Sequence, residues 1–489
     1  MSAMDEVRAE RLRKLALLRE AGMDPYEART VRTHAINEVQ DSFPALLESG
    51  ETIVVAGRVM SLRLHGGSAF ADVYDGTERI QTFLSRDTIG EKNFDLFVEA
   101  VDQGDFVEVH GTVFLTKREA KTIAVTEWKV LTKALEAVPS EWYGIKDEDE
   151  RYRKRYLDIL LNAETRDIVY KRAKFWNVIR NFLNERGFVE VETPVLENTP
   201  GGAEARPFTT HHNALDIDVY LRISAGELWQ KKLMVAGIPK TFEIGRIFRN
   251  EGMSSEHLQD YTQLEFYEAY SDYKKGMELV KNLYQTIARD VFETTKFSIR
   301  GHEIDFAGEW QTYDYCSLIK DAYGIDVLDT TVEEVKDALS KEDISFKEDE
   351  LNIERGIDLL WKKIRKGVAG PGFLINVPVI LEPLAKRSPD NEEVVERFQV
   401  IIAGSEIGKG FSELNDPVDQ KERFMRQQAL RDAGDEEAQM ADMEYVEALE
   451  YGMPPTFGFG VSERFFAFLM DKPARETQLF PLMRPRDKE

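Results

Sequence analysis

FEIGRIFRNEGMSSEHLQDYTQLEFYEAY, residues 242–270, is the stretch that decides the fold. It reads as a strand ending at Arg249 and Glu251, a loop, and a returning strand that bears Tyr261, Glu265 and Tyr267. A strand that folds back on its predecessor pairs antiparallel. Around this hairpin, helical patterns at 165–186, 270–295, 354–366 and 418–450 alternate with β-rich runs at 217–223, 240–248, 261–270, 373–380, 397–412 and 456–470. Long excursions between strands predict an α+β domain built on a mixed or antiparallel sheet. Neither GxGxxG after a strand nor GxxxxGKS/T occurs, so any ATP is held without those phosphate loops.

The hairpin also carries candidate chemistry. Arginine suits a phosphate through its forked donors, glutamate accepts from an exocyclic amine, and an aromatic ring stacks on a base. The bland reading is a surface hairpin laced by cross-strand ion pairs. Upstream, GFVEVETPVL (187–196) gives a helix end, a strand and a rigid Pro194. His211 and His212 are adjacent, so on a strand they face opposite sides, and no acidic or cysteine cluster supports them as metal ligands. In GSEIGKGFSELND (404–416), Glu406 and Glu413 flank Gly408 and Gly410. Strand glycines admit a close ligand, and two carboxylates suit a cation, either a metal or an ammonium. PPTFGFGVSERFFAFLM (454–470) runs a Gly-x-Gly strand into Glu463-Arg464 and an apolar helix, a junction suited to phosphate.

The N-terminal part differs. Leu12, Leu15 and Leu18 form one stripe of a helix over 5–21, expected to dock by that stripe. Five β-rich runs follow (53–62, 68–73, 79–84, 106–115, 122–131), with a helix at 91–100 before the fourth. That pattern predicts a Greek-key barrel of the OB type, a fold that binds single-stranded nucleic acid. PSEWYGIKDEDE (139–150) then gives way to basic RYRKRY (151–156), read as a linker whose basic run is either a solvated face or a phosphate contact between domains. The expected organisation is a helical extension at 1–50, a barrel at 51–138, a linker at 139–156 and a catalytic domain at 157–489. Residues 329–366 read as an acidic helical insertion at the surface with little chemistry.

Composition bounds the rest. A net charge of -25 over 489 residues weighs against a nucleic-acid partner, but a binding surface is local, so any RNA grip is confined to basic patches. Cys316 is the only cysteine, which excludes an intrachain disulfide and a thiolate zinc site and suits a reducing cytosol. The charged N-terminus lacks the apolar core of a secretory signal, and no apolar run is long enough to span a membrane. A cytoplasmic location without a membrane partner is expected.

Taken in order, these segments resemble the three motifs of the class II aminoacyl-tRNA synthetases. GGAEARPFTTHHNALDIDVYLRI, IFRNEG, GSEIGKGFSELND and the pairing of DAGDEEA with EALEYGMPP are similar to the bacterial lysyl type in particular. The barrel resembles the anticodon-binding domain of the aspartyl, asparaginyl and lysyl subgroup. The resemblance implies a homodimer with Pro194 in the dimer-forming motif, the substrates L-lysine, ATP and tRNA(Lys), and Mg²⁺. It implies ATP contacts from Arg249, Glu251, His257, Tyr261, Glu406 and Arg464, with Arg249 and Arg464 catalytic. It implies a lysine pocket of Glu227, Arg249, Glu265, Tyr267, Phe411 and Glu413, a metal ligand in Glu406, and anticodon contacts from Phe70, Gln81 and Glu127. The chemistry is consistent: a desolvated lysine ammonium needs a buried carboxylate partner, which Glu413 supplies.

The chain departs from the family in places. Gln399 stands where a second metal-binding glutamate is usual, leaving the number of ions open. Glu256 replaces the arginine expected for the γ-phosphate, and Lys409 replaces an asparagine beside the pocket. The stretch from Gly458 to Arg464 is one residue shorter than the bacterial lysyl form and lacks its third glycine. An aspartate- or asparagine-charging relative and a tRNA-binding paralogue without activity are the alternatives.

Overall fold

The computed structural model describes residues 3–139, 144–203, 205–252, 254, 257–348, 351–434 and 438–486. The chain forms two units that divide after Glu148.

In the first unit, strands β1 (Ile53–His65), β2 (Ser68–Tyr74), β3 (Arg79–Ser85), β4 (Phe106–Leu115) and β5 (Lys121–Thr132) close a barrel in the order β1-β2-β3-β5-β4. Alternation does the sorting: Ala69, Ala71 and Val73 of β2 point inward, and Phe70, Asp72 and Tyr74 do not. The helix Glu91–Ala100 buries Phe94 and Phe97, the latter edge-on to Trp128 at 5.0 Å. The leading helix Ala3–Glu20 does not dock by the leucine stripe alone. Leu15 and Leu18 are buried but Leu12 is exposed. Arg11 takes part in the docking, donating to the carbonyls of Gln103 (2.9 Å), Ala134 (2.9 Å) and Glu136 (3.1 Å). These carbonyls need donors, and an apolar side chain has none.

In the second unit, the expected linker is in part helical. Glu148–Arg153 and Arg155–Leu161 are short helices. Within the RYRKRY run Arg155 is buried, 2.7 Å from Asp158, and also donates to the Glu476 carbonyl, so this residue braces the fold, while Lys154 and Tyr156 are exposed. The central sheet contains β6 (Val189–Glu190), β7 (Lys240–Phe248), β8 (Asp260–Ala269), β9 (Gln311–Asp314), β10 (Gly372–Ile375), β11 (Arg397–Ile402), β12 (Ser405–Ser412) and β13 (Thr456–Ser462), in the order β9-β10-β11-β12-β13-β8-β7-β6. All pairings from β10 to β7 are antiparallel, and only the two edge pairings are parallel. One face carries Phe242, Phe266, Phe398, Phe457 and Phe459 into a core shared with the helices Ala163–Asn184 and Tyr273–Phe292. Burying each phenylalanine contributes about 1.5–3 kcal/mol. The opposite face, offset by one residue on every strand, is left for the site.

Two further expectations change. Gly410 does not open a strand to a ligand, whereas Gly408 lines the site cavity although its Cβ position faces the aromatic core. A Cβ on Gly408 would lie 2.6 Å from the Phe459 ring, and one on Gly410 would lie 2.9 Å from the Phe398 and Phe457 rings, so these glycines let the aromatic core close on β12. The 329–366 region is not a bare surface insertion either. Its helices Val332–Lys341 and Ile353–Ile364 bury Val335, Leu339, Ile357 and Leu360, and Trp361 reaches the site.

Candidate active site

The row of residues across the site face follows from strand register. Arg397 and Gln399 of β11 sit opposite Phe411 and Lys409 of β12, which sit opposite Gly458 and Gly460 of β13. These in turn face Tyr267 and Glu265 of β8. The row floors a cavity of about 580 Å³. Gly458 is required by close approach: a Cβ there would lie 2.1 Å from Glu413 Oε1 and 2.5 Å from the Tyr267 ring. Every catalytic, ATP, lysine and metal candidate from the sequence lines this one cavity: Glu227, Arg249, Glu251, His257, Tyr261, Glu265, Tyr267, Gln399, Glu406, Phe411, Glu413 and Arg464.

One end is acidic and buried. Glu227 opens the helix Glu227–Val235, Glu265, Tyr267 and Phe411 come from the sheet, and Glu413 follows the end of β12; all five are buried. Glu265 accepts from Gln263 Nε2 (2.7 Å), the Ala225 amide (2.9 Å) and the Tyr267 hydroxyl (3.1 Å). Burial, reinforced by the Glu227 carboxylate, still pushes Glu265 up to about 8. Burial also pushes Glu413 up to about 8, against the pull of a neighbouring ammonium.

That ammonium belongs to Lys231, which sequence reading missed. It is buried, 2.8 Å from Glu227 Oε1 and 2.5 Å from Glu413 Oε2. The Glu413 contact is an ion pair without hydrogen-bond geometry, and neither Glu413 oxygen has a hydrogen-bond partner among the described residues. Burial draws the Lys231 pKa down, but the two carboxylates more than offset this and hold it well above the ordinary lysine value. The aromatic rings of Phe411, Tyr267 and Tyr445 surround the ammonium at 5.3, 5.9 and 6.0 Å. The only signal in the sequence was the i, i+4 spacing of Glu227 and Lys231, which elsewhere marks an ordinary helix-surface pair.

The other end is cationic and aromatic. Arg249 stands at the end of the β7–β8 hairpin, anchored by its Nε to the Ile223 carbonyl (3.3 Å), with its guanidinium 5.9 Å from the centre of the Tyr261 ring. Arg464, at the end of β13, donates to the Glu406 carbonyl at 2.7 Å. His257 Nδ1 is 2.7 Å from Ser254 Oγ. Glu256 lies outside the described residues. The hairpin is braced from behind by Arg222, also missed, which pairs with Glu243 and donates to the Arg246 carbonyl at 2.8 Å.

Two departures from the family pattern now have geometry. Lys409 turns to Glu382 (3.2 Å), which also holds Arg397 at 2.5 Å, so its charge has a partner away from Glu413. Gln399 Oε1 accepts from Arg397 (2.6 Å) and its Nε2 donates to the Gly408 carbonyl (3.0 Å), so the amide is used in the protein itself. Glu406 Oε1 accepts from Trp361 Nε1 at 2.6 Å. No group of three or more His, Cys, Asp or Glu able to hold a metal exists among the described residues. One carboxylate is nonetheless compatible with Mg²⁺, which is commonly held by one or two carboxylates plus nucleotide phosphates.

In the barrel, Phe70 and Gln81 lie on the outer face of neighbouring strands, where Phe70 packs on Phe83 with ring centres 4.9 Å apart. Gln81 accepts from Thr122 Oγ1 at 3.1 Å. Glu127 is turned outward by a bulge: β4 pairs His110 with Glu127 but Gly111 with Val125, leaving Thr126 as the extra residue. His211, paired with Asp218 at 3.0 Å, is exposed and is not part of the cavity lining.

An antiparallel sheet floored by glycines, with an arginine on a returning hairpin and another at a strand-to-helix junction, defines a class II synthetase architecture joined to a nucleic-acid-binding barrel. Comparison with known proteins agrees. Residues 147–484 match the model of "tRNA synthetases class II (D, K and N)", and residues 53–131 match that of the "OB-fold nucleic acid binding domain". The chain is 45% identical over 490 residues to the lysine–tRNA ligase of Roseiflexus sp. (strain RS-1), covering 99% of this chain and 100% of the relative. It is 43% identical to that of Thermoanaerobacter sp. (strain X514) and 42% identical to that of Thermotoga maritima, each covering 99% of this chain and 97% of the relative. The chain belongs to the class II tRNA synthetases, in the lysine–tRNA ligase family.

Proposed function

We propose that this protein activates L-lysine with ATP and transfers it to the terminal adenosine of tRNA(Lys). The observation that carries this reading is the buried acidic end of the cavity, where Glu227, Glu265 and Glu413 lie together. A carboxylate-bearing side chain such as aspartate would meet repulsion there, and a neutral one would leave buried charge unpaired.

In this reading the lysine carboxylate attacks the α-phosphorus of ATP. A new O–P bond forms, the bond to the β-phosphate oxygen breaks, and pyrophosphate leaves. The carboxylate is already ionised near neutral pH, so no general base is needed. Arg249 meets the α-phosphate and the amino-acid carboxylate, Tyr261 stacks on adenine, Glu251 accepts from its exocyclic amine, and Arg464 closes over the nucleotide, with His257 beside it. These residues act by positioning and by opposing charge that develops in the transition state. Glu406 would hold Mg²⁺, whose chemistry is to neutralise charge on the phosphates. The ribose hydroxyl of the tRNA then attacks the lysyl carbonyl carbon, and AMP leaves.

Phe70, Gln81 and Glu127 form the anticodon-reading face, with Phe70 supplying a stacking platform. The protein works as a homodimer in the cytoplasm; the exposed Val189, Val195 and Leu196 beside Pro194 support the dimer face. No helix among the described residues is long and apolar enough to cross a membrane. Lysine-dependent ATP–pyrophosphate exchange tests the activity. Exchange with lysine but not aspartate or asparagine is expected. Exchange driven by aspartate, or tRNA binding without any exchange, would overturn the reading.

A further inference from the structure

With its carboxylates ionised, the acidic end of the cavity holds more negative charge than one ligand ammonium can answer. Among the described residues, three carboxylates, Glu227, Glu265 and Glu413, share it with a single buried cation, Lys231. That cation is not spread evenly. It sits on Glu227 Oε1 and Glu413 Oε2 and is walled in by three aromatic rings. Glu413 Oε1 is the oxygen over Gly458, at the floor of the cavity, and no donor among the described residues reaches it. Glu265 has its donors within the sheet and helix start, but none of them carries charge.

We propose that Lys231 is a positioning residue that sets the charge requirement of the amino-acid pocket. Its ammonium holds Glu227 and Glu413 in one array, aims Glu413 Oε1 at the ligand, and leaves the three carboxylates two positive charges short. A diammonium amino acid supplies both charges, one from the α-amino group and one from the side chain. A monoammonium amino acid supplies one and leaves a buried carboxylate unpaired, which is expensive in a dry site. Without Lys231, Glu413 would lack the neighbouring cation that favours its ionised form, and a neutral acid pairs poorly with an ammonium. This deepens the lysine-activating reading and rests on it.

The test is Lys231→Met, which keeps the length and removes the charge, assayed by lysine-dependent ATP–pyrophosphate exchange beside the unaltered protein and Lys231→Arg. The KM for lysine is expected to rise about tenfold or more. The KM for ATP should stay within about threefold, and Lys231→Arg should recover part of the loss. A lysine KM that is unchanged or lower overturns the proposal, the second because it would make Lys231 a mere competitor for Glu413. Parallel losses for ATP and lysine, or recovery of both Lys231→Met and Lys231→Gln only as aggregate, also overturn it, because Lys231 would then be a structural ion. Absence of lysine-dependent exchange in the unaltered protein would instead sink the proposed function.

Discussion

Gly458→Ala isolates the floor of the pocket. Its backbone is ordinary extended strand, so an added methyl costs nothing in conformation and everything in space. The new Cβ would lie 2.1 Å from Glu413 Oε1, 2.5 Å from Tyr267 Cε1 and 2.8 Å from Tyr267 Cδ1. Both neighbours are buried, with 1% and 2% of their surface exposed, so neither can swing out to solvent. A normal carbon–oxygen contact requires the carboxylate to retreat by about 1 Å, and a displacement of that size at a reacting or recognition group costs on the order of 100-fold in kcat/KM. Overpacking adds about 1–3 kcal/mol of destabilisation. Gly460→Ala, two residues along the same strand, is the internal comparison: its nearest neighbour would be Glu265 Cγ at 3.4 Å, an ordinary contact. Its cost should stay under about 1 kcal/mol, roughly fivefold. Lysine-dependent exchange gives kcat/KM, and thermal unfolding gives the stability change. If the two alanine variants lose activity equally, or if Gly458→Ala is as active as the unaltered chain, the assignment of Glu413 and Tyr267 to the ligand-facing floor is refuted.

Three other expectations are independent. Glu265 and Glu413, faced by Glu227, Lys231, Tyr267 and Tyr445, have folded pKa values of about 8 against the ordinary 4.5. Their protonated forms favour folding, so that stability is whole below about pH 4.5 and is lost as pH rises toward 8, while a ligand needing both ionised binds better across the same window. The rise in Tm on adding lysine should therefore be larger near pH 8 than near pH 6; an equal rise would show that neither carboxylate is protonated in the empty pocket. Lys409→Ala breaks a half-exposed pair with Glu382 and a long contact (5.9 Å) with the Phe411 ring, so the lysine KM should stay within about threefold, whereas a larger change would make that ammonium part of lysine recognition. Phe70→Ala should weaken tRNA binding by about 1–3 kcal/mol in a filter or fluorescence assay, with tRNA-independent exchange untouched; unaltered tRNA affinity would remove Phe70 from the recognition face.

What the sequence made legible follows the range of the interactions. The barrel strands and the helix at 91–100 depend on local alternation, and they appear where the pattern put them. Arg249, Glu251 and Arg464 were legible through motif order, which brought the ends of distant strands to one cavity. The role of Gly410 was not legible: it differs from Gly458 in which face of the sheet it occupies, and register decides that. Lys231 was hidden because GELWQKK gives no sign that one lysine turns into the sheet and its neighbour away from it. Arg11 was passed over in favour of the apolar Leu12 because the orphan carbonyls it serves lie about a hundred residues further along the chain. Trp361 was lost inside a stretch whose acidity suggested only surface.

The bulge at Thr126 makes the outward surface of β5 sensitive to counting rather than to chemistry. Without the bulge, strict alternation from the inward Val125 would carry Glu127 to the apolar interior; the extra Thr126 shifts the phase, so Glu127 faces outward while Val130 still points inward. A second extra residue there would reverse the phase once more and turn Val130 outward, so a single insertion would trade the outer surface against the core. Substitutions at Glu127, by contrast, change the outer surface while the interior stays untouched.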